Sequence, residues 1–439
     1  MKRIYIYLFA ALLTMSACET DLEQFPINQV SSSSLDDYEG VLNAAYYYQL
    51  GAVTTQAVMG DFRSDNAFMF EPPYTEFDIF SGTNLKSQED QFFRPFYSQL
   101  YKCILSANIV IENSTSATEV GEAQFLRALS YYKLILAFGD VSVNLSASPS
   151  SSDTEIQVRQ PKANVYTNVV IPDLQAAMAA LSSTISEGRA SKFAAQALLG
   201  KVYAAMGDYG NAETHLSAVA GASQFGLEGS YTDVFDTSNE LNSEVIFAVQ
   251  RSGSIVDEYT YATEFPGWFG GNDSKSDYPV TEEFYNAFDA SDARRNLIDV
   301  FSASPFQATS TKYSLTNAPE YDWIDIRLAD VILLLAEARN ENGGSAESVL
   351  DLLDGIRSRV GLAPLDHTVI SSQSAVRKAI LDERRFELAF EGQRWFDLVR
   401  TGSVDSEMGQ SINSNYYVFP IPISEINATN GVITQNAGY

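Results

Sequence analysis

Acidic residues near the C-terminus recur at a spacing that could support acid–base chemistry. Glu383, Glu387 and Glu391 lie four residues apart, so a continuous helix would carry all three on one side. Glycoside hydrolases use two carboxyl groups a few ångströms apart, and this spacing could supply such a pair. Arginines are interleaved throughout residues 381–402, however, and neighbouring cations lower a carboxyl pKa and favour ion pairing. We therefore expect a structural network rather than a catalytic pair. Its predicted members are Glu383, Arg384, Glu387, Glu391, Arg394 and Asp397.

The sequence contains no recognisable catalytic or metal-binding motif. Its two histidines, His215 and His367, are far apart and lack the H-E-x-x-H spacing of a zinc site. Neither a Gly-rich phosphate loop nor a G-x-S-x-G motif occurs. Residues 61–66 carry oxygen ligands suited to Ca²⁺ but lack the glycine and the final glutamate of a calcium loop. We therefore expect no enzyme, no cofactor and no metal, with a structural calcium ion at residues 61–66 as the less favoured alternative.

Aromatic residues in two irregular stretches offer a different chemistry, namely stacking on the apolar faces of sugar rings. One stretch covers residues 51–82, and the other runs from a predicted strand at 244–250 to about residue 322. Rings displayed from loops can stack on a ligand while nearby Asn and Asp side chains bond its hydroxyls. The alternative is that these rings pack the loops against the helices. The predicted ligand-binding residues are Phe70, Tyr74, Trp268, Phe269 and Tyr278.

The N-terminus has the features of an export signal. A basic start precedes an apolar run at residues 4–15 that is too short to span a bilayer. Small residues then precede Cys18, as in a bacterial lipobox, where the cysteine becomes the first mature residue and carries acyl chains. We predict a lipoprotein signal peptide at 1–17 and a lipidated tether at 18–36, with a plain secretory signal as the alternative. Acylation of Cys18 would leave Cys103 without a partner for an intramolecular disulfide.

Composition narrows the choice of ligand. The chain has 439 residues, of which 45% are hydrophobic and 19% are charged, as expected for a globular protein with ample core material. Its formal net charge is −28. So acidic a protein repels nucleic acid and anionic lipid, so we expect no nucleic acid partner. A neutral ligand fits this charge better.

Helical periodicity dominates the chain after residue 36. Residues 194–219 match the tetratricopeptide pattern, in which small residues let two antiparallel helices approach closely. One such pair cannot bury its own apolar face, so neighbouring helices must stack on it. We predict a mainly α fold in a single domain at 37–439. Its expected parts are a helical, tetratricopeptide-like part at 37–220, a loop-rich part at 221–323, and C-terminal helices with an extended tail at 324–439.

Several of these segments, taken in order, resemble the SusD/RagB family of nutrient-binding outer-membrane lipoproteins. The resemblance rests on the lipobox at Cys18 and on residues 121–141, 194–219, 242–250, 326–343, 352–362, 381–402 and 419–439. It implies a SusD-like fold of tetratricopeptide-like helix pairs with a loop-rich ligand-binding face. It also implies a lipid-anchored, surface-exposed protein of the outer membrane. Such a protein captures a glycan or oligosaccharide and passes it to a SusC-like TonB-dependent transporter.

Peptides and folded proteins are the alternative ligand classes. Some members of the family bind peptides, and the family's binding residues follow no sequence motif. A protein-binding adaptor would use the groove of the helical repeat around Tyr203 and Tyr209 instead of the aromatic loops. The glycan-binding and adaptor hypotheses therefore predict different ligand-binding surfaces.

Overall fold

The computed structural model describes residues 37–82, 84–150, 153–185, 188–251, 264–271, 277–313 and 321–439. The predicted signal peptide, the tether and Cys18 lie outside the described residues. Residues Tyr38–Tyr439 form one compact unit. Within the described part of the chain, no helix is both long enough and apolar enough to cross a membrane.

The secondary structure is mainly helical. The α-helices are α1 (Glu39–Leu50), α2 (Val53–Ala57), α3 (Arg94–Asn113), α4 (Ala117–Phe138), α5 (Lys162–Val165), α6 (Ile171–Ala180), α7 (Lys192–Met206), α8 (Tyr209–Ala220), α9 (Phe265–Gly270), α10 (Glu282–Ala287), α11 (Leu328–Glu341), α12 (Ala346–Arg359), α13 (Gln373–Glu387), α14 (Arg394–Thr401), α15 (Val404–Glu407) and α16 (Ile423–Ala428). The strands are β1 (Val141–Ser142), β2 (Arg159–Gln160), β3 (Val245–Val249), β4 (Ile298–Ala303), β5 (Phe306–Ser310) and β6 (Trp323–Arg327). The predicted mainly α fold class is confirmed.

The longer helices begin and end at residues whose local chemistry favours those positions. Ser116 accepts a hydrogen bond from the third backbone N–H of α4, and Ser191 does the same for α7. Asp208 likewise caps α8. Between α7 and α8, Gly207 adopts a left-handed conformation with φ of 75°, which is accessible to glycine at little cost. The predicted helix pair therefore forms with its turn where the sequence indicates.

The helices pack in a continuous series. α1 packs on α3, α3 on α4, α4 on α6, and α6 on α7. The pair α7–α8 then contacts α11, on which both α12 and α13 pack. Gly200 allows the close approach within the pair, because a Cβ at this position would lie 2.6 Å from Cγ of Leu216. The stacking needed to bury the face of the tetratricopeptide-like pair is thus provided from both sides.

The strands form three short antiparallel pairs within the described residues. β1 pairs with β2, β3 with β6, and β4 with β5. Strand β3 is buried along its whole length and confirms the strand predicted at 244–250. The stretch from there to residue 322 is more regular than expected, because it contains α9, α10 and the β4–β5 hairpin. Ser304 and Pro305 form the turn between the two strands of that hairpin.

The C-terminal corner departs from a continuous helix. Helix α13 ends at Glu387, so Glu391 lies in the turn that follows and not on the helix. Phe390 and Gly392 both have positive φ in this turn, 65° and 68°. Helix α14 then begins at Arg394, and Gly402 closes it in a left-handed conformation. This sharp turn brings carboxylates of α13 and of the turn toward the same interior region.

Candidate functional site

The C-terminal corner is organised around a buried arginine–carboxylate network. Arg327 donates from Nη1 to Glu244 at 2.7 Å and to Glu387 at 2.8 Å, and from Nε to Glu391 at 2.7 Å. Arg294 donates to Glu383 at 2.7 Å and to Glu387 at 3.0 Å. Buried charges are tolerated when they are paired and hydrogen-bonded in this way. Arg359 also donates to Glu387, which therefore accepts hydrogen bonds from three arginines that reach it from different segments.

The other predicted members lie in adjoining ion pairs. Arg384 binds Asp397 through two nitrogens at 2.8 and 3.1 Å. Arg394 binds Asp65 in the same manner at 2.8 and 2.9 Å. The structure thus places Glu383, Arg384, Glu387, Glu391, Arg394 and Asp397 in buried ion pairs.

The electrostatics of Glu387 do not suit acid catalysis. The residue is fully buried, which opposes its ionisation, but Arg327, Arg359 and Arg294 outweigh burial and lower its pKa to about 2. A general acid must hold a proton near the working pH. A carboxylate kept ionised by three guanidinium groups instead anchors the fold.

The calcium-like segment at residues 61–66 serves the same corner. Asp61 accepts hydrogen bonds from the backbone N–H groups of Phe390 at 3.0 Å and Gly392 at 2.7 Å. Burial raises the pKa of Asp61 to about 7 despite these two donors. Asp65 binds Arg394, which lowers the pKa of the Asp65 carboxyl against the effect of burial. Both carboxylates therefore contact groups of the chain that hold the turn after α13.

Two of the predicted ligand-binding rings are core residues, and the expectation for them was wrong. Trp268 and Phe269 are 2% and 1% exposed. Trp268 packs edge-on against Tyr74 at 5.3 Å between ring centroids, and Phe269 stacks on Phe62 at 5.2 Å. Helix α9 is only six residues long and directs both rings inward, so neither ring can offer a face to a ligand.

Tyr74 occupies an intermediate position. Its ring is partly buried against Trp268 and Phe92, and its hydroxyl donates to Oε1 of Gln91 at 2.8 Å. These contacts fix the orientation of the ring. A role of Tyr74 in ligand binding stays a prediction, as it does for Phe70 and Tyr278.

Exposed aromatic side chains occur in both irregular stretches of the described chain. Phe70 is 63% exposed, Phe301 is 64% exposed, and Tyr278 is partly buried. The rings of Tyr278 and Phe301 contact each other with centroids 5.7 Å apart. We define Phe70, Tyr278 and Phe301 as the aromatic surface. Single exposed apolar side chains are common, but rings that contact each other at the surface, as Tyr278 and Phe301 do, form a candidate surface for a ligand.

Backbone hydrogen bonds connect the segments that carry these rings. The N–H of Phe68 donates to the carbonyl of Pro279 at 2.9 Å, and Ala67 forms a bridge with Val280. The N–H of Val280 donates to the carbonyl of Ala308 at 3.2 Å, which joins this bridge to strand β5. These backbone bonds connect the segment before Phe70 to the segment after Tyr278 and to β5, which pairs with β4, the strand that carries Phe301.

A β-bulge sets the direction of Phe301, which is not among the predicted ligand-binding residues. Val300 pairs with Ala308 and Ser302 with Gln307, so Phe301 is the extra residue of β4. Bulges often redirect a side chain at a functional site. The sequence signal available was Ile298, Val300 and Phe301 shortly before a Ser-Pro dipeptide, which favours a turn.

Two concave regions lie elsewhere on the described chain. A cavity of about 210 Å³ is lined by α1, residues 188–189 and β3. A smaller one of about 90 Å³ lies beside Tyr209 in the region expected for a protein-binding adaptor. Its charged walls are already paired, since Arg377 binds Glu341 through two nitrogens at 2.8 and 2.6 Å. That arrangement leaves few charges for a peptide to engage.

Comparison with known proteins gives a consistent assignment over most of the chain. A family model described as the SusD family matches residues 230–417. A second model, described as starch-binding associating with outer membrane, matches residues 19–204. A SusD-like protein of Formosa agariphila is 24% identical, with 100% of this chain and 98% of the relative aligned.

Solved structures agree in fold. A SusD superfamily protein from Parabacteroides distasonis superposes with a TM-score of 0.78 at 22% identity, covering 94% of this chain and 100% of that one. A laminarin-binding SusD-like protein gives a TM-score of 0.75 at 25% identity, covering 92% and 99%. The fold described above is therefore shared along nearly the whole length of these proteins.

Proposed function

This chain belongs to the SusD/RagB family, and on that premise we propose that it is a carbohydrate-binding protein of the outer membrane whose ligand is a neutral glycan. One matching family model is described as starch-binding and associated with the outer membrane. A structural relative of 25% identity is described as laminarin-binding. Both descriptions support a polysaccharide of uncharged sugars as the ligand class.

The observation that carries this proposal is the exposed aromatic surface. Burying a phenyl ring is worth about 1.5–3 kcal/mol, so Phe70 and Phe301 forgo that stabilisation in the free protein. A bound sugar would cover the rings with its apolar C–H face, while Asp277, next to Tyr278, can accept hydrogen bonds from hydroxyls. The net charge of −28 disfavours anionic polysaccharides.

We propose binding without cleavage. The carboxylates that might have formed a glycosidase pair are occupied by arginines, and Glu387 is wholly buried. A hydrolase would need one carboxyl group that keeps its proton and a second that reaches the sugar. The geometry of the arginine–carboxylate network supports a structural role instead.

Anchoring and delivery form the second part of the proposal. Cys18 carries lipid in the outer membrane, the protein faces the cell exterior, and it passes its ligand to a SusC-like TonB-dependent transporter. The lipobox and the family membership support these statements. Labelling cells with a clickable fatty acid tests the anchor, because Cys18→Ser should abolish the label. Co-purification of a TonB-dependent transporter with the wild-type protein tests the partnership.

Calorimetric titration with laminarin, starch and a uronate-rich polysaccharide tests the ligand class. We expect binding of at least one neutral glycan and none of the anionic polymer. The variant combining Phe70→Ala, Tyr278→Ala and Phe301→Ala should lose that binding while keeping the wild-type melting temperature. Val369→Ala is the matched control, since this exposed apolar side chain lies outside the aromatic surface.

Full retention of glycan binding by the triple variant would contradict the assignment of the surface. Absence of binding to every glycan tested would contradict the ligand class. In that case peptide libraries should be screened, and variants around Tyr203 and Tyr209 would identify an adaptor that uses the helical repeat.

A further inference from the structure

Three potential metal ligands meet on the surface of α12. Asp351 and Asp354 are one turn apart on this helix, and His367 comes from the segment that follows it. One ligand atom from each side chain lies within 4.8 Å of the other two. Asp351 is exposed, whereas Asp354 and His367 are partly buried. The group shares no residue with the aromatic surface or with the arginine–carboxylate network.

The segment carrying His367 is held in place by contacts of its own. The N–H of Leu365 donates to Oδ1 of Asp354 at 2.8 Å. Leu365 and Ile370, on either side of the histidine, pack against the small apolar cluster between α11, α12 and α13. Nε2 of His367 consequently lies 2.9 Å from Oδ2 of Asp354. The imidazole is therefore positioned before any ion arrives, which reduces the loss of conformational entropy on binding.

We propose that Asp351, Asp354 and His367 form a binding site for a divalent transition-metal ion, with Zn²⁺ as the representative. Imidazole nitrogen is a good ligand for Zn²⁺, whereas Ca²⁺ and Mg²⁺ favour sites made of oxygen atoms alone. Two carboxylates and a neutral imidazole balance the charge of one divalent ion. Bond lengths of about 2.0–2.2 Å to nitrogen and oxygen require the side chains to move slightly inward from their present separations.

The remaining coordination position would be open to water. Three protein ligands plus one solvent molecule complete the four-coordinate geometry that Zn²⁺ prefers. On binding, the imidazole adopts the tautomer with its proton on Nδ1, and Nε2 of His367 exchanges its hydrogen bond with Asp354 for a bond to the metal. The ion would then join the segment after α12 to that helix. Sequence spacing could not indicate this group, because the histidine reaches the helix only after the chain has turned back.

Isothermal titration of the untagged protein with ZnCl₂ tests the proposal. We expect one Zn²⁺ per chain, with at least tenfold weaker binding in His367→Gln and in Asp351→Asn. His215→Gln is the matched control, because His215 is the only other histidine in the sequence and stacks on Tyr203 in the repeat pair. It should bind Zn²⁺ as tightly as the wild type does.

Spectroscopy with Co²⁺ gives a second readout. Visible absorption bands of bound Co²⁺ should appear with the wild type and with His215→Gln but not with His367→Gln. Asp351→Asn guards against a folding artefact, since an exposed side chain can be changed without disturbing the core. Equal Zn²⁺ affinity in the wild type and His367→Gln would overturn the proposal, as would Ca²⁺ binding that is tighter than Zn²⁺ binding. None of these outcomes depends on the glycan.

Discussion

Gly60 lies directly against the backbone of Gly392. A Cβ atom at Gly60 would be 2.1 Å from the carbonyl carbon of Gly392, far inside contact distance. Next to this contact, Asp61 accepts the N–H groups of Phe390 and Gly392. The π-helical segment Val58–Phe62 is thus joined to the turn after α13 through backbone atoms, although more than three hundred residues separate them.

Replacing Gly60 by alanine should destabilise the protein by about 3 kcal/mol or more. The added methyl group meets main-chain atoms, which cannot rotate away, so the cost should reach the upper end of the 1–3 kcal/mol typical of overpacking. Urea unfolding measures the change. Gly40→Ala is the control, since nothing lies within 4 Å of a Cβ there, and alanine in α1 should stabilise by roughly 0.5–1 kcal/mol. Equal effects of the two substitutions would contradict the close contact.

Asp61 should make stability depend on pH between about 4 and 7. Burial raises its pKa from 3.8 to about 7 in the folded protein. In this interval the folded state holds a proton that the unfolded chain releases. The stabilisation is therefore complete below pH 4 and falls as the pH rises, by about 1.4 kcal/mol per pH unit.

Comparison with Asp61→Asn isolates this effect. The amide does not titrate, so the free energy of unfolding of the wild type minus that of the variant should decrease from pH 4 to pH 7. Below pH 4 the difference should be constant. A difference that is flat from pH 4 to pH 7 would show that the folded state holds no extra proton at Asp61, and it would contradict the raised pKa.

Glu387→Gln should destabilise the protein by about 3–5 kcal/mol at neutral pH, because it leaves Arg327, Arg359 and Arg294 short of a buried partner. The low pKa of Glu387 contributes stability above its unfolded value of 4.5, and this contribution is lost as the pH falls toward 2. The gap between variant and wild type should accordingly narrow below pH 4.5. Chemical denaturation at pH 7 and pH 3 measures it, with the exposed Glu155→Gln as the control. A gap unchanged at pH 3 would argue against the ionised form.

Phe301→Ala should mainly lower glycan affinity, whereas Trp268→Ala should mainly lower stability. Phe301 is exposed, so its loss should change stability by less than about 0.5 kcal/mol and weaken glycan affinity about two- to tenfold. Trp268 is buried, so its truncation should cost about 3–5 kcal/mol of stability. Calorimetric binding and thermal unfolding of both variants separate the two roles. Unaltered affinity in Phe301→Ala would remove this residue from the binding surface.

Local signals in the sequence predicted the helical framework well. Capping side chains such as Ser191 and Asp208, with glycines such as Gly207, mark helix ends through interactions between neighbouring residues. The repeated mixture of charges and rings at 381–402 likewise indicated buried ion pairs. The helix ends could be predicted because a capping residue and the backbone groups that it caps are close in the sequence. The ion pairs could be predicted because a buried charge requires a partner, wherever in the sequence that partner lies.

Features that depend on contacts between distant segments could not be predicted from local sequence signals. Arg294 and Arg327 complete the network from far upstream, and no periodicity links them to Glu387. The burial of Trp268 and Phe269 depends on which side of α9 faces Phe62 and Tyr74. The exposure of Phe301 could not be predicted, because the direction of its side chain depends on a bulge, which is a property of strand pairing. In each case the missing information is the relative placement of elements.

The backbone bonds linking Phe68 to Pro279 and Val280 to Ala308 involve no side chains. Rings at positions 70, 278 and 301 can therefore be exchanged for other residues while this framework keeps its geometry. Under the proposed function, a new polysaccharide preference could therefore arise by point substitutions of these rings, with no change to the backbone that holds them.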